Sequence, residues 1–244
     1  MRYNLSDDPR PRLGLIALQV DETLEDDFRR LIPRGDARLH VTRIPSGARL
    51  NADSIGQMAH DLPAAAALLP PAVTFDAVGY ACTSGTTLIG AARVADLVSG
   101  ACTTRAVTDP LTATLRAIRA LGLQRIGIVS PYVAPVADAM RAAFVDAGVA
   151  VPDGVSFGEE IEANVARIEP ASTADAARAL AARTALDGVF LSCTNLRTLD
   201  LIAPLESELG VPVLSSNLTL AWDMARLAGL SVAVQCRLRK HASP

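Results

Sequence analysis

Two short stretches of the chain echo each other, and that repeat limits what the chain can fold into. They are Gly79-Tyr-Ala-Cys-Thr-Ser-Gly-Thr86 and Phe190-Leu-Ser-Cys-Thr-Asn195. Each is an apolar run ending in Cys-Thr, followed by an N-cap type of residue and a helical pattern. Cys82 and Cys193 lie 111 residues apart. The segments Arg12-Leu-Gly-Leu-Ile-Ala-Leu18 and Arg125-Ile-Gly-Ile-Val-Ser130, which read as the opening strands of two halves, lie 113 apart. One spacing repeats the other, as an internal duplication would, and each half then puts one thiol in an equivalent place.

Apolar runs separated by helical patterns fill both halves. Leu13 to Leu18 is a continuous apolar run suited to a strand buried on both faces, and Leu24 to Ile32 is a helix behind the acids of Asp21-Glu-Thr23. Leu39 to Ile44 alternates as an edge strand does, and Asp53 is read as the cap of a helix reaching Leu69, where Pro70-Pro71 stops it. Phe75 to Tyr80 leads into Cys82, and one helix is expected from Gly85-Thr86 to Val98. Thr103 to Val107 is a strand, and Asp109-Pro110 caps a helix ended by Gly122. In the second half, strands are expected at 126–129, 151–157, 189–191 and 211–215. Helices are expected at 135–147, 199–209 and 218–227, with another capped by Ser172 or Thr173 and running to Thr184. Residues 159–170 read as irregular, and 232–238 as a possible further strand before a disordered end.

Strands alternating with helices define an α/β protein with parallel sheets. Two repeats imply two similar lobes facing across a cleft, and ligands of open parallel sheets sit off the carboxyl ends of the strands. Both cysteines fall there.

Composition narrows the function classes. Half the residues are apolar and a fifth are charged, enough for a core and unlike a disordered chain. The net charge of −3 and scattered arginines give no reason to expect a nucleic-acid or membrane partner. No segment is apolar for long enough to span a bilayer, and residues 1–10 lack the apolar core of a signal peptide, so a cytoplasmic protein with reduced thiols is expected. Four cysteines without a CxxC and three scattered histidines, His40, His60 and His241, suggest neither disulfides nor zinc. No GxGxxG or GxxxxGK[ST] is present, so a nucleotide is not implied.

A cysteine at a strand end before a helix N-terminus receives backbone N–H groups and the helix dipole, both of which favour thiolate. A thiol and a thiolate on opposite faces of a carbon acid can invert a stereocentre. A thiolate can instead add to an activated double bond and allow rotation. A lone buried cysteine is more often a small core residue, the reading given to Cys102 and Cys236. The duplicated motif sets Cys82 and Cys193 apart. Thr83, Ser84, Thr194 and Asn195 supply hydroxyls and amides that would hold a carboxylate, or act as ordinary caps.

The chain resembles the aspartate/glutamate racemase superfamily, and within it the maleate isomerase and arylmalonate decarboxylase branch. The resemblance runs from Leu13 to about Gly229. It is carried by Tyr80-Ala-Cys-Thr-Ser-Gly85, Ser130-Pro-Tyr132, Asn164-Val-Ala-Arg-Ile168, Leu191-Ser-Cys-Thr-Asn195 and Leu209-Gly-Val-Pro-Val-Leu-Ser-Ser216 followed by Trp222. It implies two flavodoxin-like parallel-sheet lobes related by pseudo-twofold symmetry, with cofactor-free, metal-free chemistry in the cleft. The lobes are expected as residues 12–108 with about 217–244, and residues 109–216. The resemblance implies Cys82 and Cys193 as catalytic residues, with Tyr132 and Asn164 at positions that hold a substrate carboxylate in maleate isomerases.

Two features depart from the pattern. Arylmalonate decarboxylases keep only the second cysteine, so the presence of both favours isomerisation or racemisation over decarboxylation. The turn after the first strand reads Val20-Asp-Glu-Thr23 in place of the Ser-Asn-Thr-Thr-like turn of maleate isomerases, which puts Glu22 in the substrate-binding set and disfavours a second substrate carboxylate. That turn, with Arg43-Ile-Pro-Ser-Gly47, is similar to ectoine-utilisation members of the branch. The expectation is therefore a cofactor-independent isomerase or racemase of a small carboxylate, amino-acid-like or derived from ectoine or hydroxyectoine, in a homo-oligomer. The alternatives are an arylmalonate-type decarboxylase and a non-catalytic solute-binding sensor.

Overall fold

The computed structural model describes residues 1–47 and 52–241. It contains two four-stranded parallel sheets with helices packed on them. In chain order the first half runs β1 (Arg12–Leu18), α1 (Leu24–Leu31), β2 (Arg38–Ile44), α2 (Ala52–Ala66), β3 (Ala77–Ala81), α3 (Thr83–Ile89), α4 (Ala91–Ser99), β4 (Val107–Thr108) and α5 (Pro110–Leu121). The second half runs β5 (Arg125–Ser130), α6 (Ala134–Asp146), β6 (Ala150–Ser156), α7 (Glu162–Val165), α8 (Pro170–Arg183), β7 (Gly188–Leu191), α9 (Ile202–Leu209), β8 (Val213–Ser215) and α10 (Ser216–Leu227). The strand orders are β2-β1-β3-β4 and β6-β5-β7-β8, the same order in each half. Every strand pairing within these sheets is parallel. The duplication read from two cysteine motifs is thus a duplication of topology.

β1 after Arg12 and the whole of β3 are buried and largely apolar because each lies inside its sheet with both faces covered, whereas edge strand β2 alternates. One core cluster packs Leu13, Leu15 and Ala17 with α10 and the second sheet. Another packs Ile16, Leu18, Val78 and Tyr80 with α2 and α4 on the opposite face of the first sheet. α10 comes so close to β3 that a Cβ at Gly79 would lie 2.6 Å from Met224 Sδ. α10 also packs against α5 and α1. Because α5 lies past residue 108 and yet packs with α10, the sheets alone do not place the expected lobe boundary.

Local signals placed several ends well. Asp109 caps α5 by accepting the Thr112 N–H at 2.8 Å, Pro110 occupies its first turn, and Gly122 closes it at φ 68°. Other expectations need correction. The single helix expected to end at Val98 is two, α3 and α4, broken at Gly90 with φ 92°, a conformation that L side chains rarely adopt. α8 starts at Pro170 rather than at a Ser172 or Thr173 cap, and Thr173 is fully buried inside it. Its proline fills a first-turn position where no N–H is needed, which outweighs the hydroxyl signal two residues on. α2 begins at Ala52, and the side chain of its expected cap, Asp53, lies outside the described residues. Residues 232–238 form no strand: Leu238 is buried in a 3₁₀ turn at Arg237–His241, and the end after 241 lies outside the described residues.

Candidate active site

Cys82 follows β3 and is the N-cap of α3, where its Sγ accepts the Gly85 N–H at 3.2 Å. Ser84 Oγ lies 3.7 Å from the same sulfur, and the Tyr80 hydroxyl is within its hydrogen-bond reach. Cys193 follows β7 but opens no helix. The chain instead runs through a turn to a 3₁₀ segment at Leu199–Leu201, and Cys193 itself has φ 121°, the only positive φ among described non-glycine residues. The expectation that both thiols cap helices therefore holds for Cys82 alone.

The two cysteine loops are tied together. Ser216, the first residue of α10, has its Oγ 2.9 Å from Thr83 Oγ1 and accepts the Cys193 N–H at 3.0 Å. Thr194 Oγ1 donates to the Ala81 carbonyl at 3.4 Å. Asn217 Nδ2 donates to both the Thr194 carbonyl and Asp27 Oδ2, each at 2.8 Å. Tyr132, buried after β5, brings its hydroxyl within reach of Cys193 Sγ. Each thiol thus has a tyrosine beside it. Thr83 and Thr194 act across the loop junction, while Ser84 is tied only to its neighbouring thiol among the described hydrogen bonds.

Asn195 is committed structurally. Its Oδ1 accepts the Glu22 N–H at 2.8 Å, its Nδ2 donates to the Glu162 carbonyl at 3.1 Å, and its own carbonyl accepts from Thr23 Oγ1 at 3.0 Å. It clamps the turn after β1 to α7 across the two halves. Two other expected site residues point away. Glu22 is half exposed and pairs with Arg167 at 3.0 Å. Asn164 is exposed and donates to Glu159 Oε2 at 3.3 Å. Their places are taken by near neighbours. Asp21 is buried, its Oδ1 accepting the N–H groups of Thr23 at 2.9 Å and Leu24 at 2.8 Å. Glu162 is 4% exposed and faces the same interior. In the sequence, Asp21 reads chiefly as a cap and Glu162 is passed over. In an irregular acidic stretch, only its position two residues before Asn164 marks it.

Electrostatics run against the expected thiolates. Burial, with the Glu162 charge adding to it, pushes the Cys82 thiol up to about 11, against the lowering effect of the Gly85 N–H. Burial, then Glu162 and Asp21, raises Cys193 well above the usual thiol range. Burial likewise raises Glu162 to about 7 and Asp27 to about 6, and raises Asp21. These shifts favour the protonated form of both thiols and set them beside buried acids. No group of three or more metal-ligating side chains stands ready among the described residues, and no described helix is long and apolar enough to cross a membrane.

Two four-stranded parallel sheets with helices are the fold shared with solved maleate isomerase and arylmalonate decarboxylase structures. Residues 93–239 match the family model described as arylmalonate decarboxylase, and the chain belongs to that family. It is 40% identical over 124 residues to arylmalonate decarboxylase of Bordetella bronchiseptica, covering 50% of this chain and 51% of the relative. It is 31% identical over 123 residues to maleate isomerase of Nocardia farcinica, covering 50% and 49%. The alignments span about half the length of these curated relatives. Among solved structures, a cysteine-to-serine mutant of Nocardia farcinica maleate cis-trans isomerase with a covalently bound succinylcysteine intermediate superimposes with a TM-score of 0.84 at 23% identity, covering 94% of this chain and 98% of that one. A liganded double mutant of arylmalonate decarboxylase, with one glycine changed to cysteine and one cysteine to serine, gives 0.81 at 26% identity, covering 94% and 98%.

Proposed function

We propose that the protein is a cofactor-independent isomerase or racemase of a small carboxylate, working through Cys82 and Cys193. The observation that carries the reading is the pair of buried thiols at equivalent strand ends, with their loops joined through Thr83, Ser216 and the Cys193 N–H. In racemisation, one sulfur as thiolate takes the proton α to the carboxylate, and the C–H electron pair moves into the carboxylate as an enediolate. The opposite thiol then delivers its proton to the other face, leaving the thiolate on the other side. In cis-trans isomerisation, the thiolate adds to one alkene carbon and the π pair passes into the conjugated carboxylate. Rotation about the resulting single bond and expulsion of the thiolate complete the change. Tyr132 and Tyr80 are placed to donate hydrogen bonds to whichever sulfur is anionic. An amino-acid-like or ectoine-derived substrate accords with the turn at Val20-Asp-Glu-Thr23 and with the acids around the thiols.

Decarboxylation is the second reading, favoured by the family model and the 40%-identical relative. There a malonate-type acid loses CO2 and a thiol protonates the enediolate left behind. A panel in D2O containing maleate, aspartate, glutamate, hydantoins, hydroxyectoine-derived compounds and arylmalonates separates the routes. Deuterium at a stereocentre marks proton transfer, alkene conversion without exchange marks thiol addition, and CO2 release marks decarboxylation. Undiminished turnover in both Cys82→Ala and Cys193→Ala refutes the thiol chemistry.

A further inference from the structure

Beside the thiols lie two acids that the reaction as written does not use. Asp21 is anchored through one oxygen only. Oδ1 accepts two backbone N–H groups, while Oδ2 is buried without a hydrogen-bond partner among the described residues; the Thr194 hydroxyl is close enough to act on this carboxyl but lies 3.4 Å from Ala81 O. Glu162 comes from α7 in the other half, is equally buried, and has the Asn195 amide beside its carboxyl. The two carboxyls repel each other, both act on Cys193, and Glu162 acts on Cys82 and Tyr132 as well. No cation among the described residues acts on Glu162. The nearby guanidinium on the Asp21 side, Arg43, is spent on the Leu18, Gln19 and Asp21 carbonyls and on Glu25. From α1, Asp27 adds a third acid, held by Asn217.

Buried carboxyls are retained when something pairs with them, because an uncompensated buried charge is costly. Here no cation acts on Glu162, the one acting on Asp21 is already bonded to backbone carbonyls and Glu25, and Asp21 Oδ2 has no hydrogen-bond partner among the described residues. A substrate dianion would meet the same field and be repelled.

We infer that Asp21 and Glu162 together receive a positively charged nitrogen of the substrate, an ammonium or amidinium, held beside Cys82 and Cys193. This rests on the space between the two cysteines being the substrate site. It has a mechanistic consequence. Burial raises both thiols and the same negative field adds to it, so a ligand cation that neutralises the field lowers the thiol pKa where thiolate is needed. Recognition and activation become one event, and an uncharged or dianionic analogue leaves the thiols inert.

The test uses the intact protein with acetamidinium and guanidinium chlorides as bare cations, and L-aspartate against succinate and L-alanine against propionate as matched pairs. Calorimetry reads binding, and ultraviolet thiolate absorbance across a pH titration reads the thiols. The amine-bearing member of each pair should bind about tenfold or more tightly, and saturating acetamidinium should give about tenfold more thiolate at a fixed pH, equivalent to one pKa unit. Affinity for the cations should rise with pH as Glu162 ionises through about 7. Glu162→Gln should lose the preference and the thiol shift while keeping its melting temperature at about pH 5, where the carboxyl is protonated in the parent. Asp21→Asn, whose amide oxygen can still accept the Thr23 and Leu24 N–H groups, should lose them in part. Equal affinity within the pairs, a preference that survives in both variants, or failure of every cationic probe to bind overturns the inference. The same binding measured in Cys82→Ala and Cys193→Ala keeps this question apart from the thiol chemistry, which stands or falls on turnover in those variants.

Discussion

Gly85→Ala tests how the first thiol is held. A Cβ at Gly85 would lie 2.7 Å from the Tyr80 hydroxyl, 2.8 Å from Cys82 Sγ and 3.2 Å from Cys82 Cβ. Ordinary van der Waals separation is about 3.4 Å or more, so the sulfur must move by roughly half an ångström or the start of α3 must shift with it. Overpacking of this kind costs about 1–3 kcal/mol, whereas alanine gains about 0.5–1 kcal/mol over glycine inside a helix. The net loss is about 0–2.5 kcal/mol, which for a chain of this size lowers the melting temperature by at most roughly 10 °C. The chemistry should suffer more, because a misplacement near 1 Å costs about 10²-fold in rate. We expect turnover to fall about 10- to 100-fold with a modest thermal shift, measured by solvent-deuterium incorporation and by calorimetry on the same preparation. Adding Tyr80→Phe removes the hydroxyl contact but leaves the sulfur contact, so the double variant should regain stability without regaining rate. Full activity and an unchanged melting temperature in Gly85→Ala would refute the view that Cys82 Sγ is held against this glycine.

Three further outcomes follow from the same geometry. Glu22→Gln breaks an exposed ion pair with Arg167 and should change stability by under about 1 kcal/mol and leave cation binding intact, read by melting and calorimetry. Glu162 at about 7 and Asp27 at about 6 are raised by burial, so the folded state holds protons that the unfolded chain releases at lower pH. Their contribution to stability is greatest below the unfolded values and is lost as pH rises through about 6 to 7. Melting temperatures should therefore fall from about pH 5 to about pH 8, less steeply in Glu162→Gln. Asp223, fully buried in α10, accepts from Thr108 Oγ1 at 2.6 Å and pairs with Arg116 at 2.5 Å and Arg226 at 2.8 Å. Asp223→Asn leaves two guanidinium groups without their partner and should cost about 3 kcal/mol in denaturant unfolding.

The fold was legible because its signals are local and repeated. Continuous apolar runs marked β1, β3 and β7, and Asp109-Pro110 with Gly122 bounded α5 at both ends. The thiols were legible because the repeat singled them out. The surrounding residues were less so, because a turn carries no periodicity that tells which of two adjacent side chains points inward. Asp21 and Glu22 are both acidic, and burial selects the one whose carboxylate can satisfy the start of α1 while Glu22 is drawn outward to Arg167. Glu162 and Asn164 stand in the same relation on α7: two residues apart on a one-turn helix, they face different sides, and the acid faces in. Ser216 reads in sequence as part of a family pattern, and its role as the junction between the cysteine loops appears only when α10 is placed.

The duplication does not make the two thiols equivalent. Cys82 sits in extended backbone at φ −145° and receives an N–H from its own helix, a conformation any residue adopts without strain. Cys193 has φ 121°, which costs a side-chain-bearing residue on the order of 1–3 kcal/mol and persists only where its surroundings over-determine it. Those surroundings are present: Ser216 accepts its N–H, Asn217 holds the Thr194 carbonyl, and Asn195 is fixed by three hydrogen bonds to the turn after β1 and to α7. Asp21 and Glu162 belong to the two segments that Asn195 joins. The strained cysteine, the acids and the contact between the halves are therefore one mechanical unit, and substitution at Asn195 or Asn217 should disturb the setting of Cys193 more than that of Cys82, whose sulfur is held by its own helix.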